Sequence, residues 1–462
     1  MPISFRRAIN VNTGDGYDNV GAFFLGDVSA EISEWLSSHP SVFSQYDYVT
    51  PEMYGAIGDG VTDDTSAWQA AVNSGKKVRA ASSKYRCGTI YVTTDADIDC
   101  NNAEFSCKDV TLFDCRGTSE SGTTEADYTA NGDYTLTDTF TGIAYISGTN
   151  NVFKHRSYYR GGSVEHFHDG KLDTQIPIDI TGVTVYRLNT IQVNIRNIAN
   201  VVFDGANSLR IIYQEYCAYS VIENVNMTSL CYSVVNFDRC FKCTYRDSHF
   251  DTPQYHTYGD YYYPVAIYDS CYTTIENIHG HNVGWHCITT SGQTLCRGTK
   301  VVNCELYCDY PIPAYGDHPN GVETTITGST LSSAGLGPLG RLTNCDIVCC
   351  KENDMCHVNL SVCSVDGLGV HTIESCRFYP QNSQYAAVRI LCDPNDEGLS
   401  YDYYYNHLAV SNCRNMVPAV PMNIKKLAFI RVTGEVTVDT VSVMNTNLPV
   451  ESGTAEHIYV YP

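Results

Sequence analysis

The stretch "YGDHPNGVETT" (315–325) places two carboxylates, Asp317 and Glu323, close to His318, with Gly321 between them. Two carboxyl groups flanking a bond are what glycoside hydrolysis requires: one protonates the leaving oxygen, and the other activates water or attacks. Elimination beside a uronic carboxylate needs a base, for which His318 or His357 is available, and a cation, for which Arg389 is available. Asp317, Glu323 and His318 are therefore the candidate catalytic residues.

Their setting follows from a strand alignment. Short β-rich runs align on the inward residues Val234, Val265, Cys287, Val322, Val358 and Val388. The residues beside an inward position face outward. That rule sets His286, His357, Asn359 and Arg389 beside Glu323 as candidate substrate-binding residues. The entering loops add Asp260 and Asp354, and Gly321 is expected to leave a gap for a sugar ring. In "YGDYYYP" (258–264), Tyr258, Tyr261, Tyr262 and Tyr263 offer flat apolar faces with hydroxyls, which suit a sugar. The plain alternatives are a solvated Glu323 paired with Arg389, surface histidines and loop-packing tyrosines. "HGHNVGWH" (279–286) lacks a carboxylate at a ligand spacing, and "CFKC" (240–243) lacks a second pair, so no metal and no cofactor are expected.

The elements that carry these residues form a repeat. One set of runs holds "VIENVNM", "TYRDSHF", "TIENIHG", "KVVNCEL", "RLTNCDI", "HTIESCRF" and "AVSNCRN", with a shared polar position at Asn224, Asp247, Asn277, Asn303, Asn344, Ser375 and Asn412. A second set precedes each of the last six. Two strands per unit, with loops that vary between them, predict an all-β solenoid, a right-handed parallel β-helix of about ten coils with the polar residues in one ladder. A β-sandwich is the competing architecture. Expected boundaries are 1–50 for an N-terminal attachment segment, 51–420 for the β-helix with its cap, and 421–462 for a C-terminal β region.

Charge and composition narrow the function. The chain has 462 residues, with 29 Lys and Arg against 51 Asp and Glu, for a net charge of −22. This balance disfavours nucleic acid and anionic membrane partners. No apolar stretch has the length of a membrane span, and the start lacks the apolar core of a signal peptide, so a soluble chain made in a cytosol is expected. Its 21 cysteines often stand where Val or Ile would fit, so they are expected to be reduced and buried.

"MYGAIGDGVTDDTSAWQAAV" (53–72) resembles the N-terminal signature of the pectate-lyase-like superfamily of right-handed β-helices. Thr62 or Asp63 would cap its helix, and Trp68, Ala71 and Val72 would form the apolar face. Asp59, Asp63 and Asp64 then read as loop and cap residues. The usual following turn is reduced in "AASSKYRCGTI" to Tyr85. With the preceding "AEISEWLSSHPSVFSQYDYVTPEMYGAIGDG" the stretch resembles the head-to-helix junction of bacteriophage tail proteins. This resemblance implies a homotrimeric tailspike in the virion tail, joined to other tail proteins through its N-terminal segment and acting as a depolymerase on bacterial surface polysaccharide. A lyase of the same fold and a non-catalytic receptor-binding tail protein are the alternatives.

Overall fold

The computed structural model describes residues 10–12, 17–19, 47–109, 111–150, 161–203, 210–228, 233–251, 263–283, 286–308, 313–318, 320–348, 358–362, 368–381, 387–392, 403–427 and 436–462. Most of the expected attachment segment lies outside the described residues.

The helix Thr65–Asn73 (α1) buries Ala67, Trp68, Ala71 and Val72. Trp68 meets Tyr85, Phe105 and Phe113 at ring-centroid distances of 5.1, 5.4 and 6.1 Å. The helix thereby closes the core of the first coil, which would otherwise face water. Asp63 accepts the Thr65 amide at 3.1 Å. Asp64 turns back on the glycine loop and accepts the Ile57 and Gly58 amides at 2.7 and 3.1 Å. Asp59 accepts those of Val61 and Thr62 at 2.8 and 2.7 Å. All three acids are occupied as turn and cap groups.

Beyond α1 the strands pair in parallel, each with its equivalent one coil away, as a right-handed β-helix stacks them. Two of the three faces are consecutive halves of one bent strand, as in Thr244–Asp251 and Thr274–Val283. Pairing continues through the bend, so these faces form one wound sheet rather than a barrel. The third face stacks eleven strands in order, among them Thr111–Arg116, Arg210–Glu215, Ser233–Asp238, Val265–Tyr268, Ile288–Ser291, Tyr315–Asp317, Ala334–Leu336, Val358–Val362 and Val388–Cys392.

The bend explains the polar ladder. Asn224, Asp247, Asn277, Asn303, Asn344, Ser375 and Asn412 all have φ between +50° and +55°. Most L-residues resist that left-handed conformation by about 1–2 kcal/mol, whereas Asn and Asp enter it more readily. Side chains bond along the ladder: Asn224 Nδ2 donates to Asn197 Oδ1 at 2.8 Å, and Asn277 Nδ2 to Asp247 Oδ1 at 2.9 Å. Gly328, with φ +63°, forms one further corner between Asn303 and Asn344 that the Asn spacing concealed. Cys304, Cys345, Cys376 and Cys413, each next after a ladder residue, are free and buried. Burial pushes interior thiols such as Cys100 and Cys115 well above the usual cysteine range.

Between Thr111–Arg116 and Val193–Phe203, after Ala96–Cys107 has been laid down as the parallel neighbour of the latter, the chain leaves the solenoid. Gly142–Thr149, Gly161–His168 and Thr181–Asn189 form an antiparallel sheet there. Its apolar side gathers Tyr128, Leu136, Ile146, Phe167 and Ile178 against Leu295 and Val322 of the solenoid. At the other end, Val436–Met444 and His457–Tyr461 continue the parallel stacking.

Candidate active site on the third face

Strand register decides which side chains reach solvent. Phe237, Ile267, Thr290 and Asp317 are register partners in successive coils, and the first three are fully buried. Asp317 therefore points into the solenoid. Tyr315 OH and Thr290 Oγ1 each donate to its Oδ1 at 2.7 Å, and the Gly337 amide donates to Oδ2 at 3.0 Å. Burial raises its pKa against these bonds. The expectation of a catalytic Asp317 on a loop entering the strand is corrected because Tyr315–Asp317 is itself the strand, with Tyr315 and Asp317 both inward.

Glu323 is likewise displaced from the expected stripe. Gly321–Val322 is a short strand paired with Cys296–Arg297, away from the face that carries Asn359 and Arg389. Arg297 Nε donates to Glu323 Oε2 at 2.6 Å, and its Nη1 donates to the fully buried Glu165 at 2.7 Å. Ser163 and Tyr272 complete the shell around Glu165 at 2.6 and 3.1 Å. Glu323 thus belongs to a charge network joining the antiparallel insertion to the solenoid. Gly321 leaves no gap, since a Cβ there would meet Asp317 Oδ1 and Thr290 Oγ1 at 2.4 Å.

Other expected residues do converge. Tyr263 stacks on His286 with ring centroids 6.0 Å apart and planes 13° apart, and His318 stands edge-on to His286 at 6.0 Å. The His286 ring lies on Gly316, where a Cβ would come within 2.5 Å of it. Its Nδ1–H donates to the Pro313 carbonyl at 2.5 Å. Burial, and then the neighbouring His318, lower its pKa to about 3, so the ring is neutral with Nε2 as its basic nitrogen. Asn359 and Arg389 are direct register partners in the outward row that includes Gly316 and Gly335. Asp260, Tyr258, Tyr261, Tyr262, Asp354 and His357 lie outside the described residues.

The same outward face carries carboxylates that the alignment passed over. Tyr213 OH reaches Asp238 Oδ2 at 3.0 Å and Glu215 Oε2 at 3.4 Å, which holds both acids around one phenol. Arg239 also bridges them, at 2.9 Å to Asp238 and 3.2 Å to Glu215. Arg116 binds Asp114 at 2.6 Å and Glu215 at 3.3 Å, and its guanidinium lies 4.9 Å above the Tyr213 ring. Asp269 sits at the end of the next strand. Its Oδ1 accepts the Gln293 and Thr294 amides at 2.6 Å each. Burial raises its pKa to about 6, with the nearby Asp238 charge adding to the rise and the amide bonds opposing it. The sequence held a signal for these residues: an acid two positions before a buried cysteine recurs at Glu215–Cys217, Asp238–Cys240 and Asp269–Cys271.

His279 and His281 of "HGHNVGWH" share one strand on a different face. His279 Nδ1 lies 3.2 Å from Glu305, and His281 packs on Tyr307 at 5.0 Å. Among the described residues, the set of His, Cys, Asp and Glu donors that could converge on one ion lies near the last strand.

Known structures share this architecture. The tailspike of Pseudomonas phage LKA1 superposes with a TM-score of 0.66 at 17% identity, over 88% of this chain and 84% of that one. The Pseudomonas phage phi297 tailspike gives 0.64 at 13%, over 87% and 75%. The chain has the tailspike β-helix fold. A third tailspike, from Acinetobacter baumannii bacteriophage AP22 and solved with a capsular saccharide, gives 0.59 at 15%, over 94% of this chain and 78% of that one. At the level of sequence, 29 residues are 69% identical to a capsule K30/K69-specific depolymerase of Klebsiella phage K64-1. That match spans 6% of this chain and 4% of the relative. No protein-family model matches the chain. The pectate-lyase-like signature in residues 53–72 fits this tailspike architecture, with α1 as its cap.

Proposed function

We propose that the protein is a phage tailspike depolymerase that binds and cleaves bacterial capsular polysaccharide by glycoside hydrolysis on the third face. The observation that carries the mechanism is Asp269, a buried carboxyl raised to about 6 near Asp238, which shares the Tyr213 hydroxyl with Glu215. An acid that keeps its proton near neutral pH suits donation to a leaving glycosidic oxygen, while a neighbouring ionised carboxylate activates water or attacks. Asp269 is assigned the first role, and Asp238, supported by Glu215 and Tyr213, the second. The Tyr263–His286–His318 cluster and the Asn359–Arg389 pair extend the same face as sugar-contact positions. Trimer formation and attachment to other tail proteins through the N-terminal segment belong to this reading.

A second reading, elimination, is favoured by the neutral His286, whose Nε2 is its basic nitrogen. Purified capsule of types K30 and K69 is the first substrate to test, with products read by mass and ultraviolet absorbance. Hydrolysis adds water to each product, whereas a lyase leaves an unsaturated, absorbing end. Binding with no cleavage of any capsule would sink both enzyme readings and leave an adhesive tail protein.

A further inference from the structure

Near the last strand, side chains from two adjacent strands and from the residue that enters the second converge on one spot. Asp439 lies in Val436–Met444, directly after the buried Val438. His457 opens the strand His457–Tyr461, which pairs in parallel with the same strand through Thr440↔His457. Glu456 precedes it, and its amide is fixed by the Val438 carbonyl at 2.8 Å. One ligand atom from each of Asp439, Glu456 and His457 lies within 4.8 Å of the other two.

The electrostatics of this spot are unbalanced. Two carboxylates stand side by side, and among the described residues neither forms an ion pair with a Lys or Arg. The one ionic contact is His457 Nε2 to Asp439 at 3.9 Å. Tyr404, from the coil beneath, turns its hydroxyl to Asp439. Like charges held this close repel, and a cation between them would relieve that repulsion. The set is not merely acidic, because an imidazole nitrogen completes it. One nitrogen and two carboxylate oxygens, with open positions for water, suit a borderline first-row ion such as zinc better than calcium, which prefers six to eight oxygens.

We propose that Asp439, Glu456 and His457 form a divalent transition-metal site that fastens the last strand, His457–Tyr461, to the coil below. The fastening matters because that strand is exposed along its whole length, with Val460 at 71% and Tyr461 at 53% of full exposure. A metal bridge between its first residue and Asp439 would add a link that parallel backbone pairing alone does not give. The proposal is independent of the cleavage chemistry assigned to the third face.

The test uses the full chain, stripped with a chelator and titrated calorimetrically with zinc chloride, with calcium chloride as control. Saturation near one ion per chain is expected. Asp439→Asn and His457→Gln should each weaken it at least about tenfold, the scale of losing a ligand or its support. Both positions are partly exposed, so both variants should fold, which circular dichroism checks. His249→Ala with His281→Ala should leave binding unchanged. Hydrogen exchange of residues 457–461 should slow with zinc in the wild type and not in the two ligand variants. No saturable zinc binding, binding that survives both ligand substitutions, binding lost on removing His249 and His281, or preference for calcium would each overturn the proposal.

Discussion

Asp269→Asn should make the protein less active and more stable at once, with the gain appearing only at higher pH. The Asp269 carboxyl has a pKa of about 6 in the fold against an ordinary 3.8. A shift of about two units is worth about 3 kcal/mol at 1.36 kcal/mol per unit. The sign is set by the direction: a raised folded pKa means that stability is fully present below pH 3.8 and is lost as pH rises through about 6. Asparagine keeps the oxygen that accepts the Gln293 and Thr294 amides, and it cannot ionise. The variant should therefore match the wild type near pH 4 and exceed it by up to about 3 kcal/mol at pH 8. Thermal or urea unfolding of both proteins at the two pH values reads this difference directly. A difference that does not change between pH 4 and pH 8 would show that Asp269 ionises normally. Capsule cleavage is expected to fall a hundredfold or more, on the order of lost proton transfer. Full activity in the variant would remove Asp269 from the acid role.

Four further outcomes follow from the geometry. Asp238→Asn should cut cleavage by a similar factor while capsule binding, measured by surface plasmon resonance, is kept, and loss of binding alone would argue for a contact role. Arg297→Met should destabilise the fold by about 3–5 kcal/mol, because it leaves the buried Glu165 carboxylate without its partner, and a melting temperature equal to wild type would contradict that network. Asp317→Ala strands the hydroxyls of Tyr315 and Thr290 and the Gly337 amide; it should lower stability by a few kcal/mol, at about 1–3 kcal/mol per unpaired donor, and leave kcat of the folded fraction unchanged. Asn303→Val should cost about 1–2 kcal/mol in unfolding free energy by placing a β-branched residue at φ +51°.

Much of the fold was legible because one physical demand repeats in every coil. A left-handed corner selects Asn, Asp, Ser or Gly, and that selection leaves a visible spacing through Asn224, Asn277 and Asn412. The site was harder to read because short strands carry little periodic signal. Tyr315–Asp317 spans three residues and Gly321–Val322 two, so choosing Val322 as the inward anchor assigned Asp317 to an entering loop. A shift of one residue inverts every assignment on a strand. Asn359 and Arg389 kept their expected outward placement because Val358 and Val388 are true inward residues. The acids Glu215, Asp238 and Asp269 escaped because each sits at or just past a strand end, where a carboxylate resembles an ordinary turn residue.

The antiparallel insertion also governs when the solenoid can grow. Ala96–Cys107 is hydrogen-bonded to Val193–Phe203, so on the ribosome its growing edge stays open until the whole insertion has been translated. At ordinary synthesis rates that wait is roughly 5 to 20 s. During it the strands Gly142–Thr149 and Gly161–His168, already neighbours in sequence, can pair with each other, so the inserted sheet can begin to form before the coil carrying Val193–Phe203 stacks on Ala96–Cys107.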